Sequence, residues 1–255
     1  MEKQLNMKNL ILICSIFVFT LYSCSKDGSS YSDSNSGSST GVSGSMARFA
    51  IVGDNLYTVT STNVKIFDIQ NASDPIFKVD QPFGFGIETI FPLGNTLFIG
   101  SSQGMYIYDI NNPLSPKLES MYRHILSCDP VVANQQFAYV TLSSGATRCS
   151  RGLNQLEVID ISNKKQPKVS KIYQMSNPEG LALNGNDLFV CDDQVKWFDA
   201  TNSPDLVQKG IINIKAHDAI AINKTLMLIG EKGLSQYDYS GANPVFLSEI
   251  KIGNN

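Results

Sequence analysis

From residue 47 onward the chain is a succession of short apolar runs separated by Gly, Asn, Asp, Ser and Pro. The stretch 84–123 breaks into runs at 88–93, 96–100, 104–110 and 117–122. Gly94-Asn95 between the first two is the signature of a tight hairpin turn, so these runs are predicted to be antiparallel strands. The second run of each unit is apolar nearly throughout, as in Leu97-Phe98-Ile99, Leu188-Phe189-Val190 and Leu226-Met227-Leu228-Ile229. A strand without alternation is covered on both faces. No segment beyond residue 47 carries the spacing of an amphipathic helix.

The third run recurs five times with its turn: Val64-Lys65-Ile66-Phe67-Asp68-Ile69, Met105-Tyr106-Ile107-Tyr108-Asp109-Ile110, Leu156-Glu157-Val158-Ile159-Asp160-Ile161, Val195-Lys196-Trp197-Phe198-Asp199-Ala200 and Leu234-Ser235-Gln236-Tyr237-Asp238-Tyr239. A period of roughly 40 to 50 residues with four strands is that of a propeller blade. Antiparallel sheets buried on both faces are satisfied by radial stacking against their own copies. The predicted fold is therefore all-β, a five-bladed β-propeller of four-stranded antiparallel blades. Its units are 47–83, 84–123, 124–176, 177–215 and 216–252. Each unit runs from an inner strand to an outer one, so the ring is expected to close without an exchanged strand. Closure would rest on packing between the first and last blades, which makes that seam the weakest junction.

The repeats resemble the LVIVD-repeat family of bacterial propellers, Leu156-Glu157-Val158-Ile159-Asp160-Ile161-Ser162 most closely and Tyr108-Asp109-Ile110-Asn111-Asn112-Pro113 next. The resemblance covers about 205 residues, fading at Ala200 and Gln236 in the last two copies. It implies a propeller and frequent export, with a Bacteroidetes-like origin, but no defined activity.

Ahead of the repeats, Lys3 and Lys8 precede an apolar run at 10–21 that is too short to span a bilayer core of about 30 Å. That pattern is a signal peptide, residues 1–23. It ends in Leu21-Tyr22-Ser23-Cys24, which resembles the lipobox of bacterial lipoproteins and implies acylation, palmitate included, at Cys24. Ser25 in place of Asp points to the outer membrane, and Lys26-Asp27 resembles a signal for the cell surface. Residues 24–46 are nearly all Ser, Gly, Asp, Asn and Thr. Such a stretch cannot offset its ordering entropy and is expected to be a flexible tether, reaching roughly 25 Å on average. The propeller domain is placed at 47–252.

Charge narrows the function classes. The 255 residues carry a formal net charge of −3, with no basic block of the kind that nucleic-acid binding requires. The five repeated aspartates close strands and read as caps for the amides of the following turn. A second carboxylate recurs at the start of the inner strands: Glu88, Asp129, Glu179 and Asp218, with Ala47 beside Arg48 in the first unit. These would ring one mouth of the central channel, pairing locally or holding a ligand or cation. The long loop 143–154 of the third unit emerges on the same face with Arg148, Cys149 and Arg151. Cys128 lies beside Asp129, so Cys128 and Cys149 are either a disulfide, stabilising by about 3 kcal/mol, or free thiols. Both histidines, His124 and His217, belong to loops on this face. Tyr122, Arg123, His124, Arg148 and Arg151 form the most varied cluster and the leading contact patch. No nucleophile accompanies His217-Asp218, and His124, His217 and Asp129 match no metal-ligand spacing. No catalytic residue, metal or cofactor is assigned beyond the covalent lipid. Two functions remain: a non-catalytic binding or scaffolding module with a protein or glycan partner, anchored to the membrane by its lipid, or a carbohydrate-active enzyme with its site at the channel mouth.

Overall fold

A computed structural model describes residues 44–123, 130–144 and 153–252. The signal segment, Cys24, most of the tether, His124, Cys128, Asp129, Arg148, Cys149 and Arg151 lie outside them. The described chain forms twenty strands in five four-stranded sheets, each antiparallel and in sequence order. Blade 1 holds β1 (Phe49–Val52), β2 (Asn55–Val59), β3 (Asn63–Asp68) and β4 (Ile76–Pro82). Blade 2 holds β5 (Ile87–Leu93), β6 (Thr96–Ser101), β7 (Gly104–Asp109) and β8 (Lys117–Arg123). Blade 3 holds β9 (Val131–Ala133), β10 (Phe137–Leu142), β11 (Gln155–Asp160) and β12 (Lys168–Gln174). Blade 4 holds β13 (Leu181–Asn184), β14 (Asp187–Cys191), β15 (Val195–Asp199) and β16 (Val207–Ile212), and blade 5 holds β17 (Asp218–Ile222), β18 (Thr225–Gly230), β19 (Gly233–Asp238) and β20 (Val245–Lys251). The fold is a five-bladed β-propeller.

The repeated aspartates act on their turns. Asp68, Asp109, Asp160, Asp199 and Asp238 accept the amides of Gln70, Asn111, Ser162, Thr201 and Ser240 at 2.7–3.0 Å. Donation to the ionised carboxylate holds all five below the ordinary aspartate pKa. One residue further on, Ile110 N–H reaches the carbonyl of Asn95 in the first hairpin, and Ile69, Ile161, Ala200 and Tyr239 repeat the bond to Asp54, Gln136, Asn186 and Lys224. Each third strand is thereby locked to its own inner turn.

Four apolar clusters fill four blade junctions. Tyr57, Val64 and Ile66 meet Ile90, Leu97 and Tyr108 between blades 1 and 2. Phe98 and Ile107 meet Ala138 and Ile159 between blades 2 and 3. Tyr139 and Val158 meet Leu188 and Phe198 between blades 3 and 4, and Phe189 and Trp197 meet Leu226 and Tyr239 between blades 4 and 5. Fully burying one such side chain stabilises by about 2 kcal/mol. Among the described residues no comparable cluster joins blades 5 and 1. The expected packing of first blade on last is replaced there by a polar tie. Ser45, fully buried, donates to Asp218 Oδ1 at 3.1 Å and accepts the Leu181 amide at 2.7 Å, and Met46 N donates to Asp218 Oδ2 at 3.3 Å. Gly44 and Ser45, ahead of residue 47, are buried against blades 4 and 5.

Candidate functional site

The inner strands of blades 4 and 5 begin on the face where the blade-to-blade connections and the loops between second and third strands emerge. Glu179 stands just ahead of β13 and Asp218 opens β17. Backbone bonds set their spacing: Glu179 N donates to Cys191 O at 2.7 Å, and Gly180 N to His217 O at 2.8 Å. Gly180 is required by closeness, since a Cβ there would press on the Asp218 carboxylate and the His217 carbonyl. These contacts bring Glu179, His217 and Asp218 together.

Glu179 Oε2 lies 2.6 Å from His217 Nδ1, and Glu179 Oε1 accepts from Asn177 Nδ2 at 3.2 Å. Ser143 Oγ in turn donates to Asn177 Oδ1 at 3.3 Å. A carboxylate on Nδ1 fixes the ring orientation and reserves Nε2 for another partner. His217 also lines a cleft of 290 Å³, with Asn213, Lys215, Glu231, Lys232 and Glu249 among its walls. Burial pushes the Asp218 carboxyl above the ordinary aspartate value, although the Ala219, Met46 and Ser45 donors oppose the shift. Cys191, whose carbonyl accepts the Glu179 amide, is fully buried. Burial, then the charges of Asp218 and Glu179, raise its thiol well above the ordinary value, so it stays protonated and unreactive.

The other candidates fall elsewhere. Glu88 is half-buried on β5, where the pairing with β6 shifts register between Ile87 and Thr89. Tyr122 turns its hydroxyl to Glu157 Oε2 at 2.8 Å, across the junction of blades 2 and 3, and Gln155 Nε2 donates to Glu157 Oε1 at 2.7 Å. Arg123 is exposed at the end of β8. Among the described residues no three His, Cys, Asp or Glu side chains converge as a metal would require.

Three groups escaped the sequence reading. Ser45 was hidden in a serine-rich stretch, and only its neighbours in space distinguish it. Asp192, 2% exposed, receives Ser176 N and Asn177 N and pairs with Lys196 Nζ at 2.5 Å. At the opposite end of blade 4, Asp187 accepts Trp197 Nε1 at 2.9 Å and pairs with Lys209 and Lys224 at 2.8 and 2.7 Å. A carboxylate at the second strand's start, followed after ten residues by a tryptophan on the adjacent strand, was the available signal.

Comparison with known proteins agrees with this architecture. The LVIVD repeat family matches residues 90–124 and 151–175. No curated protein matches the chain. Among solved structures, a functionally unknown protein from Desulfotomaculum acetoxidans is similar over 85% of this chain and 70% of its own, with TM-score 0.63 and 11% identity. The periplasmic gluconolactonase of Pseudomonas aeruginosa is similar over 79% and 68%, with TM-score 0.59 and 14% identity. Hsv2 of Kluyveromyces lactis is similar over 80% of this chain but 61% of its own, with TM-score 0.54 and 13% identity. At such identities the likeness is one of fold. The protein is a five-bladed β-propeller that carries LVIVD repeats.

Proposed function

We propose that the protein is an exported binding or scaffolding module without catalytic activity, held at the outer membrane through acylated Cys24 and presented at the cell surface to a protein or glycan. The observation that carries the reading is how the carboxylates at the channel mouth are occupied. Asp218 accepts from Ser45, Met46 and Ala219, and Glu179 is taken up by His217 and Asn177. Groups committed to holding the chain are poor candidates for paired acid and base roles, which require two carboxyls in distinct environments facing a substrate. Contact then falls to the rim, where Arg123 stands exposed at the end of β8; His124, Arg148 and Arg151, expected from the sequence to join it, lie outside the described residues. Arginine beside aromatic groups is favoured at binding surfaces. The test is capture of glycans and envelope proteins by the full chain, against an Arg123→Ala, Arg151→Ala variant. A ligand retained at least about tenfold less well by the variant supports the rim, and equal retention removes it. Mass spectrometry of the mature N-terminus reads the anchor: acyl chains on Cys24 are expected, and an unmodified cysteine would refute the address.

One observation favours a carbohydrate-active enzyme as second reading. A histidine held at Nδ1 by a carboxylate and lining a cleft, as His217 is, is the arrangement of a general base. The gluconolactonase likeness makes sugar lactones a sensible inclusion in a turnover screen alongside glycans. Turnover that disappears in His217→Gln would replace the binding reading.

A further inference from the structure

Every blade has a forward face, toward the next blade, and a backward face, toward the previous one. Pairing registers identify equivalent positions. On the forward face Tyr57 pairs with Ile66 and Val59 with Val64 in blade 1, Phe98 with Ile107 in blade 2, and Phe189 with Trp197 and Cys191 with Val195 in blade 4. All are buried, at 0–7% exposure. The same positions in blade 5 are Met227 paired with Gln236 and Ile229 with Leu234. Ile229 is 37% exposed, Met227 and Leu234 are only half-buried, and Ile250 beside Leu234 is 66% exposed. The backward face of blade 1 is left in the same state. Phe49 is 53% exposed, where its equivalents Ile90, Val131, Leu181 and Ala219 are all fully buried. Leu56 and Phe67 are half-buried, where Leu97 and Tyr108 are 0% and 4% exposed.

Two apolar sheet faces thus stand only partly covered, and they are the two halves of the junction that the chain builds four times over. The buried segment at Gly44–Ser45 is bonded to Asp218 at the start of β17 and to Leu181 at the start of β13. On the forward face of blade 5, Ile220, Ile222, Met227, Ile229, Leu234 and Gln236 form an uncharged patch bounded by Asp218, which stands opposite Ile229, and Asp238, which stands opposite Thr225. On the backward face of blade 1, Lys65 and Asp80 stand opposite each other on β3 and β4 and pair at 3.6 Å. We infer that the forward face of blade 5 docks on the backward face of blade 1 of a second copy of this chain, continuing the blade-to-blade stacking from one molecule to the next. The contact is head-to-tail, so each copy uses a different patch.

The test uses the full chain in detergent, with protein mass read by light scattering as concentration rises. Wild type is expected to exceed one chain. Phe49→Glu and Met227→Lys, each on an exposed or half-buried surface, should weaken association at least about tenfold when alone. Mixing the two variants should restore it, because the forward face of the Phe49→Glu chain and the backward face of the Met227→Lys chain are both unaltered and can meet. Restoration also shows that both variants are folded, and an unchanged near-ultraviolet signal from Trp197 checks each separately. A single-chain mass at every concentration overturns the inference. So does loss of association in Met227→Lys but not in Phe49→Glu, which would mean that two blade 5 faces pair with each other.

Discussion

Asp192 and Asp218 sit on neighbouring blades and respond to acid in opposite senses. Burial alone would raise Asp192, but the Lys196 ammonium and the amides of Asn177 and Ser176 outweigh it and hold the carboxyl below its ordinary value. A lowered carboxylate contributes stability above its unfolded pKa, near about 3.9, and loses it as pH falls through the folded value. Asp218 is raised, so its ionised form is the penalised one and the penalty is relieved as the solution turns acid. Asp192→Asn is expected to cost about 1–3 kcal/mol at neutral pH, with the difference from wild type shrinking as pH falls below the aspartate range. Urea unfolding followed by the fluorescence of Trp197, the single tryptophan, measures this at both ends. A difference independent of pH would show that Asp192 acts through packing instead. The five capping aspartates were legible because their partners lie two residues away. Ser45 was not, since its partners lie 136 and 173 residues away; Asp192 and Asp187 are satisfied from other strands and loops, 4–16 and 10–37 residues removed, with no turn spacing to mark them.

At the scale of the element, all four strands of each blade could be read from apolar runs and turn residues. The step in register between third and fourth strands could not. It falls at Ile66/Phe67, Ile107/Tyr108, Val158/Ile159, Trp197/Phe198 and Gln236/Tyr237, the same place in all five sheets. A bulge places two residues opposite one and tightens the local twist. Outer strands here are largely exposed, so no apolar pattern records the added residue. Inner strands depend instead on close approach. Gly180→Ala would drive a methyl group into Asp218 and the His217 carbonyl, and is expected to destabilise by about 1–3 kcal/mol. It should also part Glu179 from His217, seen as a changed His217 ring resonance. A variant that melts with wild type and keeps that resonance would mean that the backbone gives way there without cost.

The number of blades, their order and their strand directions were all present in the period of the sequence. The condition of the last junction was not, because the repeat supplies blade 5 and blade 1 with apolar residues whether or not the two meet. Phe49 and Ile229 look like their buried counterparts in every respect except their surroundings. Opening free energies should differ around the molecule accordingly. Hydrogen exchange is expected to be slowest in β10 and β14, buried throughout, and faster in β2 and β18, each open on one side. Equal protection in all four would indicate a seam as firm as the other junctions.

The hydroxyl of Ser45 has a mechanical consequence. The polypeptide leads into the domain at Gly44 and is fastened at once to two blades that come last in the sequence. Traction from the N-terminal side therefore falls first on a few polar bonds, and only after they yield on the ladder of the leading sheet. A molecule tugged from that end would release its first blade from its fifth while the remaining sheets stayed intact.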